Sequence, residues 1–207
     1  MPEKSEEKTL TKGEQTRSVI LEAAHSLFLE KGYHGTSMRR IADRADLALG
    51  GIYNHFAGKE EIFAAVLDAY HPYHSIVPAL DAVEGETIDD FVRDAARRIY
   101  KEAEDAPTKL LPLIFIEMVE FQGGHLAQLA DRMFPPFLSF FQKFSQRSGK
   151  LRATPLPVMI RTFMILMIGF LLTEALLKNV PVFKQMNLNW FDGMVDIYLH
   201  GILESED

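Results

Sequence analysis

Between residues 16 and 204 the apolar side chains recur at intervals of three and four, and no run of period-two alternation flanked by turn dipeptides interrupts them. That spacing confines the chain to an all-α fold. Val19, Ile20, Ala23, Ala24, Leu27 and Phe28 make the stripe of a helix over 16–31, which Gly32 ends. Thr36-Ser37 is an N-cap signal for a short helix over 38–45, buried along Met38, Ile41, Ala42 and Ala45. Residues 46–49 lead into a second short segment, 50–56, with Ile52 and Phe56 inward. Gly58 then opens a longer helix over 59–70 on Ile62, Phe63, Val66 and Leu67. Residues 71–86, with Pro72, Pro78 and Gly85, read as a connector. Further helices are expected over 88–104, 108–121, 126–146 (broken or kinked at Pro135-Pro136), 156–178 and 188–204.

Composition narrows the function classes. A chain of 207 residues is one ordinary domain or two small ones, and a charged fraction of 25% confines disorder to the ends. Residues 1–14 read as a flexible tail. Without cysteine there are no disulfides, thiolate metal sites or cysteine nucleophiles. The polar N-terminus of mixed charge is not a secretory signal, so the expected compartment is the cytoplasm. A net charge of −7 argues against a nucleic-acid partner only if it is evenly spread. It is not: residues 1–60 hold nine basic and nine acidic side chains, so residues 61–207 own the whole excess. The two parts read as separate modules, placed at 15–58 and 59–207.

Two short helices joined by a tight turn, the second followed at once by a bracing helix, form the helix-turn-helix pattern. The groups around it fit a nucleic-acid partner. Thr36 and Ser37 place hydroxyls and helix-capping N–H groups where a phosphate oxygen could be taken. Arg39 and Arg40 follow in the first helical turn, where a cation opposes the helix dipole by a few tenths of a kcal/mol, a penalty that a phosphate would reverse. Lys59 repeats the oddity after Gly58; for each cation alone, a solvated surface position is the alternative. Gly50, Gly51 and Asn54 thin the outer face of the second short helix, which lets its backbone approach a groove. Tyr53 and His55 offer polar tips at the groove edge.

Residues 17–67 resemble the N-terminal DNA-binding domain of the TetR family of bacterial transcriptional regulators. The matching pieces are the lead-in Leu27-Phe28 through Glu30-Lys31-Gly32-Tyr33 to Thr36-Ser37, then Ile41-Ala42 with Ala45. The run Gly51-Ile52-Tyr53-Asn54-His55-Phe56 follows, with Lys59-Glu60-Glu61 and Phe63. The resemblance implies a homodimer whose recognition helices enter successive major grooves of a palindromic double-stranded operator. It assigns phosphate contacts to Thr36, Tyr53, His55 and Lys59, and places Ala48, Leu49, Gly50, Gly51 and Asn54 nearest the base edges. Two departures stand out. The family's usual turn glycine is Asp46, which still tolerates the left-handed backbone region. Its usual Ser-Lys pair is Ala48-Leu49, which removes two hydrogen-bonding side chains and leaves apolar contact to a thymine methyl, or base contacts shifted towards Arg40 or Asn54. With few phosphate cations and an acidic body, non-specific DNA binding is expected to be weak and steeply lost with salt.

The remainder is rich in phenylalanine and methionine, which read either as a helical core or as a plastic cavity. Phe115, Met118, Phe121, Met133, Phe137, Phe141, Met164 and Met167, with Arg161, are the candidate lining for a small apolar or amphipathic ligand, a partner that the resemblance also implies. Glu117, Glu120 and Arg161 could orient a polar group of that ligand or lie at a surface. The stretch 158–172 invites a membrane reading but falls short of about 18 uninterrupted apolar residues. Burial on two sides suits it better, so Phe170, Leu177, Phe191, Val195, Tyr198 and Ile202 are the candidate dimer interface. Gly169, Gly193 and Gly201 would permit close approach. His71 and His74 lack the companions of a metal site, no cofactor is implied, and no catalytic constellation is evident. The expectation is a ligand-responsive regulator, most simply a repressor.

Overall fold

The computed structural model describes residues 11–203 apart from 178 and 187, and among them it contains helices and two isolated β-bridges but no strand. Eleven helices follow in order among the described residues: α1 Lys12–Gly35, α2 Met38–Arg44, α3 Leu49–Tyr53, α4 Lys59–Tyr70, α5 Tyr73–Asp81, α6 Ile88–Ala103, α7 Ala106–Glu120, α8 Gly124–Ser145, α9 Leu156–Leu177, α10 Pro181–Gln185 and α11 Trp190–Ile202. The expected all-α class is what the chain adopts.

Several boundaries move, each for a local reason. The helix expected from 16 begins at Lys12, because Thr11 and Glu14 close a reciprocal capping box: the Thr11 hydroxyl accepts from the Glu14 amide, and the Glu14 carboxylate accepts from the Thr11 amide at 2.8 Å. The tail is therefore shorter than 1–14, and its residues 1–10 lie outside the described residues. Gly32, at φ 68°, breaks α1 as expected, but one more turn follows before Thr36. The connector contains α5. Pro135 and Pro136 do not break α8; the carbonyls of 131 and 132 that lose their amide partners belong to exposed residues, where water can take them. α10, which Pro181 starts, was not anticipated.

The chain divides into two compact units, residues 1–70 with 112–126, and residues 71–111 with 127–207. The boundary expected at 58/59 is thereby corrected. α4 belongs to the first unit because Ile62, Phe63, Val66 and Leu67 are all buried and the helix packs on α1. The C-terminal part of α7 joins the same unit through Phe121. That ring lies 5.1 Å from Phe63 and 4.9 Å, edge-on, from Tyr33, while Phe28 meets Phe63 edge-on at 5.3 Å. At the other corner, Arg44 of α2 donates to both carboxylate oxygens of Glu30 on α1, at 2.9 and 3.0 Å.

The second unit is centred on α6, whose buried face runs through Ile88, Phe91, Val92, Ala95 and Ala96. Leu80 of α5 with Val83 just beyond it, Phe140 and Phe144 of α8, Met159, Phe163 and Met167 of α9, and Val195, Tyr198, Leu199 and Ile202 of α11 complete its core. Arg93 ties α6 to α11 by pairing with Asp89 at 2.6 Å and Asp196 at 2.7 Å, which raises its guanidinium above its ordinary range. Gly85, at φ 148°, is obligatory, since a Cβ there would lie 2.6 Å from the Phe91 nitrogen.

Two outcomes follow. Replacing Phe63 by alanine empties the centre of the first unit's aromatic cluster and is expected to cost about 3–5 kcal/mol in urea denaturation. The Arg44 hydrogen bonds, with Ser26 assisting, hold the Glu30 carboxyl at about 2, below its ordinary 4.5. A depressed carboxyl stabilises the fold above its unfolded pKa, so the contribution of this pair is full above pH 4.5 and fades as pH falls towards 2. Glu30→Gln should flatten that part of the stability–pH curve.

Candidate nucleic-acid interface

The two short helices are set by local signals. Ser37 caps α2, its hydroxyl accepting from the Arg40 amide at 3.3 Å, and Ile41 and Ala42 pin the helix inward. Asp46 turns the chain at φ 54°, in the left-handed region where the resemblance expects glycine. α3 then spans only Leu49–Tyr53, shorter than the expected 50–56; Ala48 at its N-cap has no side chain to bond the first free amides. Ile52 and Phe56, 0% and 1% exposed, anchor it.

What α3 turns outward is small. Ala48, Gly50, Tyr53 and Asn54 are exposed, and Leu49, Gly51 and His55 are half-buried. Neither Gly50 nor Gly51 has a positive φ, and a Cβ built on either meets nothing within 4 Å. Glycine inside a helix costs about 1 kcal/mol relative to alanine, and nothing within this chain repays it. The space those two residues keep clear lies outside the molecule, where a groove wall would come.

The cations are not equivalent. Arg39 is exposed, as is Arg40, whose Nη1 donates to the Gly35 carbonyl. Lys59 is turned inward: Nζ donates to the Tyr33 carbonyl at 2.8 Å and stands 3.9 Å from the Tyr33 ring centre. Burial lowers its ammonium below the ordinary lysine range, with Glu120 pulling the other way. Thr36 is also corrected. It is 2% exposed, and its hydroxyl donates to the Gly32 carbonyl at 2.9 Å, so it holds the corner between α1 and α2.

Glu117 and Glu120, read from sequence as ligand-orienting or surface groups, belong to this same unit. Glu117 is fully buried and accepts from both the backbone amide and Nδ1 of His125, each at 2.8 Å. Glu120 pairs with His34 at 2.7 Å. Sequence reasoning passed over His125, because its partner lies eight residues away across a turn.

The ligand and dimer candidates scatter. An apolar cavity of about 20 Å³ lies in the second unit among Val92, Phe140, Phe141, Phe144, Met159, Phe163 and Tyr198. Tyr198 donates to the Met159 carbonyl at 3.1 Å, and burial pushes its phenol up to about 12. Of the nine candidates only Phe141 lines this cavity. Met167 is in the core and Met133 and Phe137 are half-buried, while Arg161 and Met164 are exposed. Phe115 and Met118, both exposed, and Phe121 fall in the first unit. Val195, Tyr198 and Ile202 are corrected as interface residues, since each is spent on its own core; Phe170, Leu177 and Phe191 stay half-buried. The outward apolar side chains of α9 and α11 are instead Val158, Met164, Ile165, Ile168, Leu176, Trp190 and Ile197.

A capped short helix, a tight turn, a second short helix with an open glycine face and a bracing helix define a helix-turn-helix DNA-binding regulator of transcription. Comparison with known proteins agrees. The sequence model for "Bacterial regulatory proteins, tetR family" matches residues 20–66. The HTH-type transcriptional repressor DhaR of Mycobacterium sp. is 26% identical over 172 residues, 72% of this chain and 76% of that protein. The regulator TtgR of Pseudomonas putida is 31% identical over 117 residues, 55% of each chain. Among solved structures, a TetR family transcription regulator from Marinobacter aquaeolei superposes with a TM-score of 0.66 at 14% identity, covering 93% of this chain and 97% of its own. NalD of Pseudomonas aeruginosa, secondary repressor of the MexAB-OprM multidrug efflux pump, gives 0.65 at 19% identity over 95% of this chain and all of its own. Over residues 20–66 the chain thus matches the sequence pattern of the TetR family, and its overall fold is that of the solved TetR regulators with which it superposes.

The open glycine face yields a paired outcome. Gly50→Ala and Gly51→Ala should each raise unfolding stability by about 0.5–1 kcal/mol. Combined, they should lower operator affinity at least tenfold by fluorescence anisotropy, because the added methyl groups occupy the space that the groove needs.

Proposed function

We propose that the chain is a cytoplasmic, dimeric repressor that holds a palindromic operator through two copies of its first unit. An apolar or amphipathic small molecule entering the second unit releases it. The observation that carries the DNA-binding half is the recognition helix, where neither a positive φ nor a contact among the described residues calls for glycine at 50 or 51. Repression is supported by the names that DhaR and NalD bear. Phosphate contacts fall to Ser37, Arg39, Arg40, Tyr53 and His55, and base edges to Ala48, Leu49, Gly50, Gly51 and Asn54. A titration of the DNA upstream of the protein's own coding region, read by anisotropy, should show sequence-selective, salt-sensitive binding. Its absence at every protein concentration would end the proposal.

The dimer would form on the outward face of α9 and α11. Val158, Ile165, Ile168 and Leu176 are exposed on α9, Ile197 is 73% exposed on α11, and a Cβ at Gly169, Gly193 or Gly201 meets nothing within the chain. α9 is also long and apolar enough to cross a membrane, with mean hydropathy 2.0. Its opposite stripe, Met159, Phe163 and Met167, is however sunk among α6 and α11, and α6 carries Arg93, Arg97, Arg98 and Lys101, so the helix packs on a charged, water-facing partner along one side, which favours a protein interface for the other. Ile165→Glu with Ile168→Glu should convert a detergent-free dimer into a monomer by light scattering and weaken operator binding at least tenfold.

One observation favours a second reading, a regulator without an inducer. Ligand pockets typically measure about 300–1,000 Å³; the apolar cavity lined by Phe140, Phe141 and Met159 is about 20 Å³, and a space of about 630 Å³ beside Arg97, Arg98 and Lys101 in the same unit is lined mainly by charged side chains rather than by apolar ones. Binding would require Phe140, Phe141 and Met159 to part. Titration with 1-anilinonaphthalene-8-sulfonate separates the readings. Saturable binding that tightens in Met159→Ala and lowers operator affinity supports an inducible repressor, and no saturable binding supports the inducer-free regulator.

A further inference from the structure

Arg17 of α1 lies outside the helix-turn-helix, yet its guanidinium is fixed at the end of the recognition segment. Its Cζ stands 4.1 Å from the centre of the Phe56 ring, and Nη1 donates to the His55 carbonyl at 3.4 Å, across 38 residues of sequence. Phe56 is buried and so cannot drift. Arg17 itself is exposed, and among the described residues no carboxylate pairs with it. Two neighbouring cations are engaged within the unit: Arg44 by Glu30, and Lys59 by the carbonyl and ring of Tyr33. A guanidinium stacks through its face and donates through its edge, where it carries five N–H groups, only one of which is used here.

We infer that Arg17 is a phosphate-binding residue of the DNA interface, its guanidinium oriented by Phe56 and the His55 carbonyl to grip the backbone beside the end of the recognition helix. The inference rests on the reading of this unit as operator-binding and adds a contact from a helix outside the motif. The ring and the carbonyl remove rotamer freedom before DNA arrives, so the unused N–H edge meets a phosphate with less ordering still to be done. Phosphate contacts position a protein without reading sequence. Arg17 should therefore affect all duplexes alike.

The test uses the full chain and two labelled duplexes, the DNA upstream of its own coding region and an unrelated sequence of the same length, titrated at several salt concentrations. Arg17→Gln is expected to weaken both duplexes several-fold by a common factor. It should also make the plot of log affinity against log salt shallower by about 0.9 per subunit bound. Arg17→Lys, which keeps the charge, should retain the slope while losing part of the affinity, and it serves as the probe if the glutamine variant fails to fold. Arg44→Gln, which breaks an internal ion pair, should leave the slope unchanged. A lower melting temperature with an unchanged slope in Arg17→Gln would make the residue a cover for Phe56 and overturn the inference, as would a loss confined to the upstream duplex. If the unaltered chain binds neither duplex, it is the operator-binding reading that fails.

Discussion

A carboxylate shut away from water needs its partners supplied by the protein, and Glu117 draws a distant segment into the DNA-binding unit on that account. Both of its hydrogen bonds go to one residue, the backbone and ring of His125, across a turn in which Gln122 and Gly123 take left-handed conformations at φ 55° and 84°. Removing one member of such a pair leaves the other buried without compensation, which is the costly case. With the turn closed in this way, Phe121 is presented to Phe63 and Tyr33, and the His125 ring meets Phe63 at 6.0 Å. The family sequence pattern thus ends long before the unit does.

The same cluster explains the behaviour of Lys59. The Tyr33 ring stands nearly perpendicular to those of Phe121 and Phe63, which fixes the orientation of the face over which Lys59 lies. The Tyr33 carbonyl takes the ammonium, and Glu120, one residue from Phe121, adds a favourable charge. A lysine that reads from sequence as a phosphate ligand is instead a strut between the end of α1 and the start of α4. Its strut role and a phosphate contact compete for the same three protons.

How much was legible follows the range of each interaction. Ser37, Ile41, Ala42, Ile52 and Phe56 are fixed by caps and helical spacing within a few residues, so α2, α3 and their brace were readable from sequence, as was the left-handed turn at Asp46. The membership of residues 112–126 was not, because it depends on Phe121 and His125, held in place by Glu117, meeting residues of α1 and α4. Nor was the orientation of the last helices. α9 is apolar around its whole circumference, so spacing cannot say whether Met159, Phe163 and Met167 or Ile165 and Ile168 face inward. On α11 the wrong stripe was chosen for the interface, since Val195, Tyr198 and Ile202 have the helical period of any buried face. The Pro135-Pro136 pair, read as a break or a kink, does not end the helix, because the carbonyls it orphans belong to exposed residues that water can reach.

Charge makes a final distinction. A census of cations gives an upper limit to phosphate contacts, and the structure lowers it by engaging Arg44 with Glu30 and Lys59 with Tyr33. The steep loss with salt expected from the sequence does not follow from so small a set, because the salt slope scales with the number of phosphates neutralised. Weak electrostatics give low affinity and a shallow slope together. On the proposed reading, discrimination comes from short-range fit at α3, where Ala48 and Leu49 carry methyl groups, Gly50 and Gly51 keep the backbone bare, and Asn54 supplies an amide. Contacts of that kind respond to groove shape and to a thymine methyl rather than to ionic strength. On the operator-binding reading, the acidic excess beyond residue 60 adds nothing to the hold on unrelated DNA, so operator preference would rest on these short-range contacts while the few cations set the salt dependence of both duplexes.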